Sequence, residues 1–506
     1  MIKFTDHWRK LSVCLSFFMV SLSCSDDFTN IEPEFEVGID EFFQTEQDYF
    51  EALIGAYDLL QATWQTQFVG EFMSDNSLIA GEIGCTDQPQ YQELERFSHT
   101  PSNTSIGDRW DSFFAGVYRC DFFLDNADRI EFDGKSGMIA EVVFLKAFYY
   151  FELARNFGGL PFKDSAFVVG DAEKFPRLPV EETYGRIEDW LKQAIPNLPT
   201  TQEQAGRATR GAALALLGKV YLYQNDWDNA IRYLEQVTSL GYSLVPNYSD
   251  VFQPSGENGP ESVFEIQFSS AKVGNWGDFS FLDEEGNIGA WFSGPRYRDA
   301  TYAGGYSFNL PQADLVDKYE STDSRKAATI LDIFEFTGFA DEAALETEFG
   351  GVVKGCSTDV GFYFEKIITK TVDYESENEF SRSSHNYRYL RYADVLLMLA
   401  EAHNKKGEDN IARSYLRQVV DRAHGTGVVD LSVSGQSMED RIQLERRLEF
   451  AGEGHRYYDL LRTGKAQQVI DAIYGAGTFQ AKHMLFPIPQ DEIEFAKGNW
   501  IQNEGW

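Results

Sequence analysis

Between residues 269 and 310 aromatic side chains stand among glycines: Trp276, Phe279, Phe281, Trp291, Phe292, Tyr297, Tyr302, Tyr306 and Phe308. An aromatic face offers apolar area to the CH groups of a sugar ring at little entropic cost. Neighbouring polar groups then fix orientation through the hydroxyls. A glycine-rich surface loop can hold such a ring in the open, which a core helix cannot. Trp276 and Trp291 are the leading stacking candidates, followed by Tyr302 and Tyr306, with Arg296 and Arg298 as polar partners. For each aromatic, ordinary packing is the competing reading.

A second concentration of reactive side chains is IQLERRLEFAGEGHRYYDLLRTG, residues 442–464. A His among acids could do acid–base work or hold a metal. No second His lies at ligand spacing, His403 being the nearest, and Cys is absent from the stretch. Arg446 stands three residues before Glu449, Asp459 lies between Arg456 and Arg462 at the same spacing, and His455 stands four before Asp459. Helix neighbours at these intervals can pair, and buried charges must be paired, so the pattern reads as an ion-pair network. No G-x-S-x-G elbow, H-E-x-x-H helix or P-loop occurs, and no carboxylate pair stands out for glycoside hydrolysis. The acidic run 283–287 lacks the alternating spacing of an EF-hand and reads as a solvated loop. Neither a metal nor an organic cofactor is expected.

The elements that must position these residues are mostly helical. Phe50, Leu53, Ile54, Tyr57, Leu60 and Trp64 recur at helical intervals, with Trp64 either capping the site or in the core. Residues 69–104, rich in Gly, Ser, Asn, Asp and Gln, read as long loops, and Trp110 opens the next helix. EVVFLKAFYYFELARNF, residues 141–157, is an apolar helix stopped by Gly158-Gly159-Leu160-Pro161, and Pro179 opens the following one. Leu217, Gly218, Tyr221, Ala230 and Leu234 match the small-and-large pattern of a tetratricopeptide pair, as do Leu399, Ala400, His403, Ala412 and Leu416. Asp394, three residues after Arg391, is expected to pair with it. SVFEIQF, residues 262–268, alternates like a strand.

The chain has 506 residues and a formal net charge of -36. Nothing basic is available to neutralise nucleic-acid phosphates or to dock on an anionic surface, so a neutral ligand fits best. Residues 1–23 form a secretion leader, with Lys3, Arg9 and Lys10 before the apolar run 11–22. Ser23-Cys24 resembles a lipoprotein cleavage site, although Ser21 stands where most lipoproteins carry Leu. Acylated Cys24 would tether the chain without crossing the bilayer, and Ser25-Asp26-Asp27 is similar to a surface-export tag. Cys85, Cys120 and Cys356 are too few and too scattered for a disulfide framework, leaving a Cys85–Cys356 bridge open.

Three motifs in order carry a family resemblance: RYLRYADVLLMLAEAHNKKG from Arg388, ERRLEFAGEGHRYYDLLRTGKA from Glu445, and LFPIPQDEI followed by WIQNEGW at the close. Together they resemble the SusD/RagB family of outer-membrane lipoproteins, which capture nutrients, mostly glycans, for a TonB-dependent porin. The resemblance implies a mainly α fold: a tetratricopeptide-like α-superhelical scaffold with a looped, variable insertion carrying short β-strands. It divides the chain into leader (1–23), acylated tether (24–45), N-terminal helical region (46–240), insertion (241–310) and C-terminal region (311–506). It also makes residues 69–104 a second wall of the site, with Asp75, Asn76, Gln90, Tyr91 and Arg96 as candidates. Asp323 and Arg325 resemble a structural pair of the family. The implied function is a non-enzymatic, outward-facing capture subunit handing oligosaccharide to a SusC-like porin. Peptide capture, a protein-binding tetratricopeptide scaffold and a glycoside hydrolase are the alternatives.

Overall fold

The computed structural model describes residues 42–81, 86–270, 286–299, 301–349, 359–368, 370 and 383–506. The leader, Cys24, Cys85, Trp276, Asp283, Glu284, Glu285 and Cys356 lie outside the described residues. Phe42 and Phe43 already pack against Phe122, so the core begins at the first described residues.

In chain order the N-terminal part comprises α1 (Glu46–Asp58), α2 (Trp64–Phe72), β1 (Ser77–Leu78), α3 (Pro89–Glu95), α4 (Thr104–Asp125), α5 (Lys135–Phe157), α6 (Val180–Ala194), α7 (Arg210–Tyr223) and α8 (Trp227–Val237). Then come β2 (Ser262–Ile266), α9 (Ile288–Ser293), β3 (Leu310–Pro311), α10 (Ala313–Lys318), α11 (Lys326–Thr329), β4 (Ile330–Asp332), α12 (Ile333–Thr337), α13 (Glu342–Phe349) and β5 (Phe362–Phe364). The last part holds β6 (Tyr387–Arg391), α14 (Tyr392–Lys405), α15 (Asp409–His424), α16 (Gly435–Glu449), α17 (Arg456–Arg462), α18 (Ala466–Tyr474) and α19 (Gln490–Phe495).

Helices pack as consecutive pairs, α4 on α5, α5 on α6, α7 on α8 and α14 on α15, while α8 crosses to α14 and joins the two halves. The small residue of the first tetratricopeptide pair has a direct cause. A Cβ on Gly218 would stand 2.4 Å from Leu234 Cγ, so only glycine lets α7 and α8 approach this closely. The turn between them is closed by Asp226, whose carboxylate accepts from the Asn229 amide and caps α8. Two expectations shift. Residues 69–104 hold the end of α2 and all of α3 rather than loop alone. The next helix starts at Thr104, capped by Asn103, rather than at Trp110.

Strands β2 and β6 pair antiparallel, with Ser262 opposite Arg391 and Ile266 opposite Tyr387. This brings Arg391 to Glu261 (2.5 Å), Glu449 (2.9 Å) and Glu453 (2.7 Å). Arg325 meets Asp323 (2.7 Å), Glu445 (2.7 Å) and Glu449 (3.0 Å), bearing out the structural reading of the Asp323–Arg325 pair. Burial alone would raise the Glu449 carboxyl, but the Arg422, Arg391 and Arg325 guanidiniums hold it far below the usual range. The expected partners differ. Arg446 reaches Asp394 (2.7 Å) and Asp459 (2.9 Å) rather than Glu449, and Asp394 takes Lys219 rather than Arg391. Arg456 reaches Asp75, while Arg462 does pair with Asp459.

Candidate functional site

The two segments expected to form walls are joined. Trp64 of α2 lies flat on Phe292 of α9, centroids 5.7 Å apart and 8° between planes. Phe68, one turn further, packs on Phe292 and Tyr91. Strands β1 and β3 then pair antiparallel, Ser77 opposite Pro311 and Leu78 opposite Leu310. The Gly81 amide donates to the Ser307 carbonyl (2.9 Å), and the Ser77 hydroxyl to the Asn309 side chain (2.6 Å). Trp64 is therefore core.

Helix α9 exists because Asn287 caps it, accepting from the Ala290 amide (3.2 Å) while its own amide donates to the His385 carbonyl (2.7 Å). The chain after α9 doubles back upon it. The Tyr306 amide donates to the Trp291 carbonyl, the Ser307 amide to Gly294 and the Phe308 amide to Phe292. A Cβ on Gly305 would stand 2.4 Å from the Trp291 carbonyl oxygen, so the return is possible only with glycine there.

The sequence candidates separate into supporting and outward groups. Trp291 is buried, its ring 4.5 Å from that of half-buried Tyr306. The Arg296 guanidinium lies 5.8 Å from the Tyr306 centroid, and its Nε and Nη2 are buried with no hydrogen-bond partner among the described residues. Arg298 is exposed. Tyr302 is buried. Its hydroxyl donates to Glu365 (2.8 Å), and burial with that carboxylate pushes its ionisation well up. Over the Tyr302 ring stands the edge of Phe336, centroids 5.0 Å apart, and Phe336 is 43% exposed. Helix α12 holds Phe336 between the Asp332 side-chain cap and Gly338 at φ 75°. Tyr297, half-buried, donates to Asp299 (3.1 Å). Phe336 was not a sequence candidate. Only its packing over Tyr302, which is non-local, marks it.

In the other wall, most of the polar candidates serve the scaffold. Burial would raise the Asp75 carboxyl, but Arg456 (2.7 Å) and Arg447 (3.2 Å) hold it below the ordinary value. Asn76 donates to Glu71 (2.9 Å) and accepts from Arg447 (3.0 Å). Tyr91 is buried against Phe68 and Phe72, and its phenol is pushed up by burial. Gln90 is half-buried, bonded to Gln88 (2.7 Å), and Arg96 is exposed at the end of α3. The candidates left at the surface are half-buried Tyr297 and Tyr306 and exposed Arg298, joined by Phe336 over Tyr302, while Trp291 and Tyr302 are buried.

The SusD family model matches residues 260–506, and a model described as starch-binding, associating with outer membrane, matches residues 34–222. A tetratricopeptide-repeat model matches residues 212–240, which contain the Gly218–Leu234 contact. The chain is 25% identical to SusD-like protein P25 of Formosa agariphila, covering 94% of this chain and 95% of that one. It is 26% identical to the starch-binding protein SusD of Bacteroides thetaiotaomicron, over 77% of this chain and 76% of that one. Among solved structures, a laminarin-binding SusD-like protein superposes with a TM-score of 0.79 at 29% identity, covering 92% of this chain and 100% of that one. Surface glycan-binding protein A from B. thetaiotaomicron, in complex with laminarihexaose, gives a TM-score of 0.79 at 27% identity over 91% of this chain and 100% of that one.

Proposed function

Because this chain belongs to the SusD/RagB family, we propose that it is the glycan-capture subunit of an outer-membrane uptake system. Oligosaccharide is held on the surface of Tyr297, Arg298, Tyr306 and Phe336, with Trp276 as a further stacking residue from outside the described region. Acylation at Cys24 anchors the chain facing outward, and a SusC-like, TonB-dependent porin receives the ligand. Capture involves no covalent step: stacking supplies apolar contact, and the arginines hydrogen-bond to hydroxyls.

The observation that carries this reading is the position of Phe336. A large apolar ring is held half in solvent over buried Tyr302, whose amide shares the Asp299 carboxylate with the Tyr297 hydroxyl. The laminarin- and laminarihexaose-binding neighbours support a β-glucan as the first ligand to try. The test is a titration of the mature chain with laminarihexaose, other plant, host and microbial glycans, and peptides, repeated with Trp276→Ala, Tyr306→Ala and Phe336→Ala. Saturable glycan binding weakened by these substitutions is expected. Glycan binding that none of them alters would remove this surface from consideration, and a response to peptides alone would replace the ligand class.

A further inference from the structure

A second concave surface lies on the side of α4 that faces α19. It is a groove of about 550 Å³ whose floor and walls include Trp110, Phe114, Phe167, Val169, Phe495 and Trp500. Trp110 packs on Phe114 (4.6 Å) and on Trp500 (5.8 Å), and Trp500 is fixed by donating to the Phe175 carbonyl (2.8 Å). The rim is unusual for so acidic a protein: Val169 is fully exposed and Phe495 is 65% exposed. Apolar side chains gathered at one exposed place mark contact surfaces more often than accident.

The charges lining this groove are four carboxylates and one lysine. Asp111, Glu173, Glu492 and Glu494 line it, Asp491 acts on Asp111 and Glu492, and Lys497 is already paired with Glu173 (2.6 Å). Burial, then Asp491, pushes the Asp111 carboxyl up to about 6. Burial, then Asp111, pushes Glu492 up to about 7. Half-buried carboxylates that repel one another are relieved by a cation. The described residues lining the groove include no Asn, Gln, Ser, Thr or Arg. Its charged side chains are carboxylates and one lysine, and an apolar floor beside acids matches an apolar side chain next to a positive charge.

We propose that this groove docks a polypeptide segment of a partner protein, one that places an apolar side chain on Phe114 and Phe495 and a Lys or Arg against Asp111 and Glu492. The site is separate from the glycan surface and does not depend on the glycan reading.

The probe is a fluorescently labelled, end-blocked tetrapeptide Lys-Leu-Phe-Lys, titrated with the full mature chain beside its Glu-Leu-Phe-Glu counterpart. The basic peptide should bind at least about tenfold more tightly. Its affinity should rise from about pH 5.5 to about pH 8, as Asp111 and Glu492 ionise. Val169 is fully exposed and Phe495 mostly so, so Val169→Ser and Phe495→Ser should leave melting nearly unchanged while affinity drops by about tenfold. Glu492→Gln should flatten the pH dependence. Equal binding of the two peptides, no saturable binding of either, or affinities untouched by both serine variants would overturn the proposal. So would a concentration-dependent dimer dissolved by Phe495→Ser, which would make a second copy of the chain the occupant.

Discussion

Gly70 and Gly454 meet so closely that a Cβ built on Gly70 would stand 2.0 Å from the Gly454 carbonyl oxygen. The restriction is mutual, since a Cβ on Gly454 would stand 2.5 Å from Gln67 Cα, and Gly454 also has φ 80°. Through this contact α2, which carries Trp64 and Phe68 onto Phe292 of α9, rests on the turn between α16 and α17. Both Gly70→Ala and Gly454→Ala are expected to cost about 3 kcal/mol or more, because backbone rather than a flexible side chain must yield. Denaturant unfolding measures it, and a loss below about 1 kcal/mol in both variants would show that the turn relaxes.

Arg391→Met leaves Glu261, Glu449 and Glu453 with one guanidinium fewer among buried neighbours. Removing one member of such a network typically costs about 3–5 kcal/mol. The midpoint of urea unfolding reads the effect, and Arg422 and Arg325 beside Glu449 set how much is recovered.

Phe336→Ala is expected to weaken laminarihexaose binding by about tenfold, the order of one lost stacking contact, with little change in melting. Tyr302→Phe should do the reverse. It removes the hydrogen bond to Glu365 and about 1 kcal/mol of stability, yet leaves affinity near the parent value. Titration and melting on the same two variants distinguish platform from support. The assignment of Phe336 is lost if its removal lowers stability but not affinity.

The chain should lose stability on mild acidification. Burial pulls His455 down to about 3, burial and the nearby His483 pull His99 to about 3, and burial pulls His483 to about 4. In the unfolded chain each titrates near its ordinary value of about 6.5. Between those values the unfolded state binds more protons, so stability is complete above about pH 6.5 and falls as pH drops through that window. Each such His withdraws about 2 kcal/mol by about pH 5. Urea unfolding at the two pH values checks the sign, and His99→Asn should lessen the fall.

Glu71 behaves oppositely. Burial lifts its carboxyl to about 7, against the lowering effect of the Asn76 amide and the Gly452 and Gly454 N–H groups. A raised carboxyl holds its proton longer in the folded state, so its contribution is lost as pH rises from about 4.5 through about 7. Glu71→Gln should therefore gain on the parent between about pH 5 and about pH 8 in paired unfolding curves. A constant difference would mean that Glu71 ionises normally.

What was legible in the sequence follows from how local each cause is. The Gly218–Leu234 contact announces itself as a small residue at fixed spacing from a large one, because both belong to one helix hairpin. The joining of residues 69–104 to the aromatic segment came through family motifs rather than spacing. Ion-pair partners were legible only where they lie close in sequence, as Asp459 with Arg462 and Asp323 with Arg325. Arg446 was expected to meet Glu449, its helix neighbour, but Asp394 and Asp459 come from other elements, and a buried guanidinium takes whatever acids the packing brings. Trp291 and Tyr302 share their composition context with Tyr306, yet chain doubling back at Gly305 buries the first and Phe336 covers the second. Exposure of one aromatic in a row of aromatics is a tertiary fact.

The closing stretch of the chain has a kinetic meaning. Arg177 binds the Ile501 carbonyl and the Asn503 side chain, Asn503 donates to the Phe157 carbonyl, and Trp500 to that of Phe175. These ties span more than 300 positions of chain, so they form only after a very long loop has closed. Arg177 and the Phe157 carbonyl at the end of α5 gain these partners only after the chain between has been ordered. Residues 500–503 therefore act as a latch on the segment after α5, one that closes late in folding.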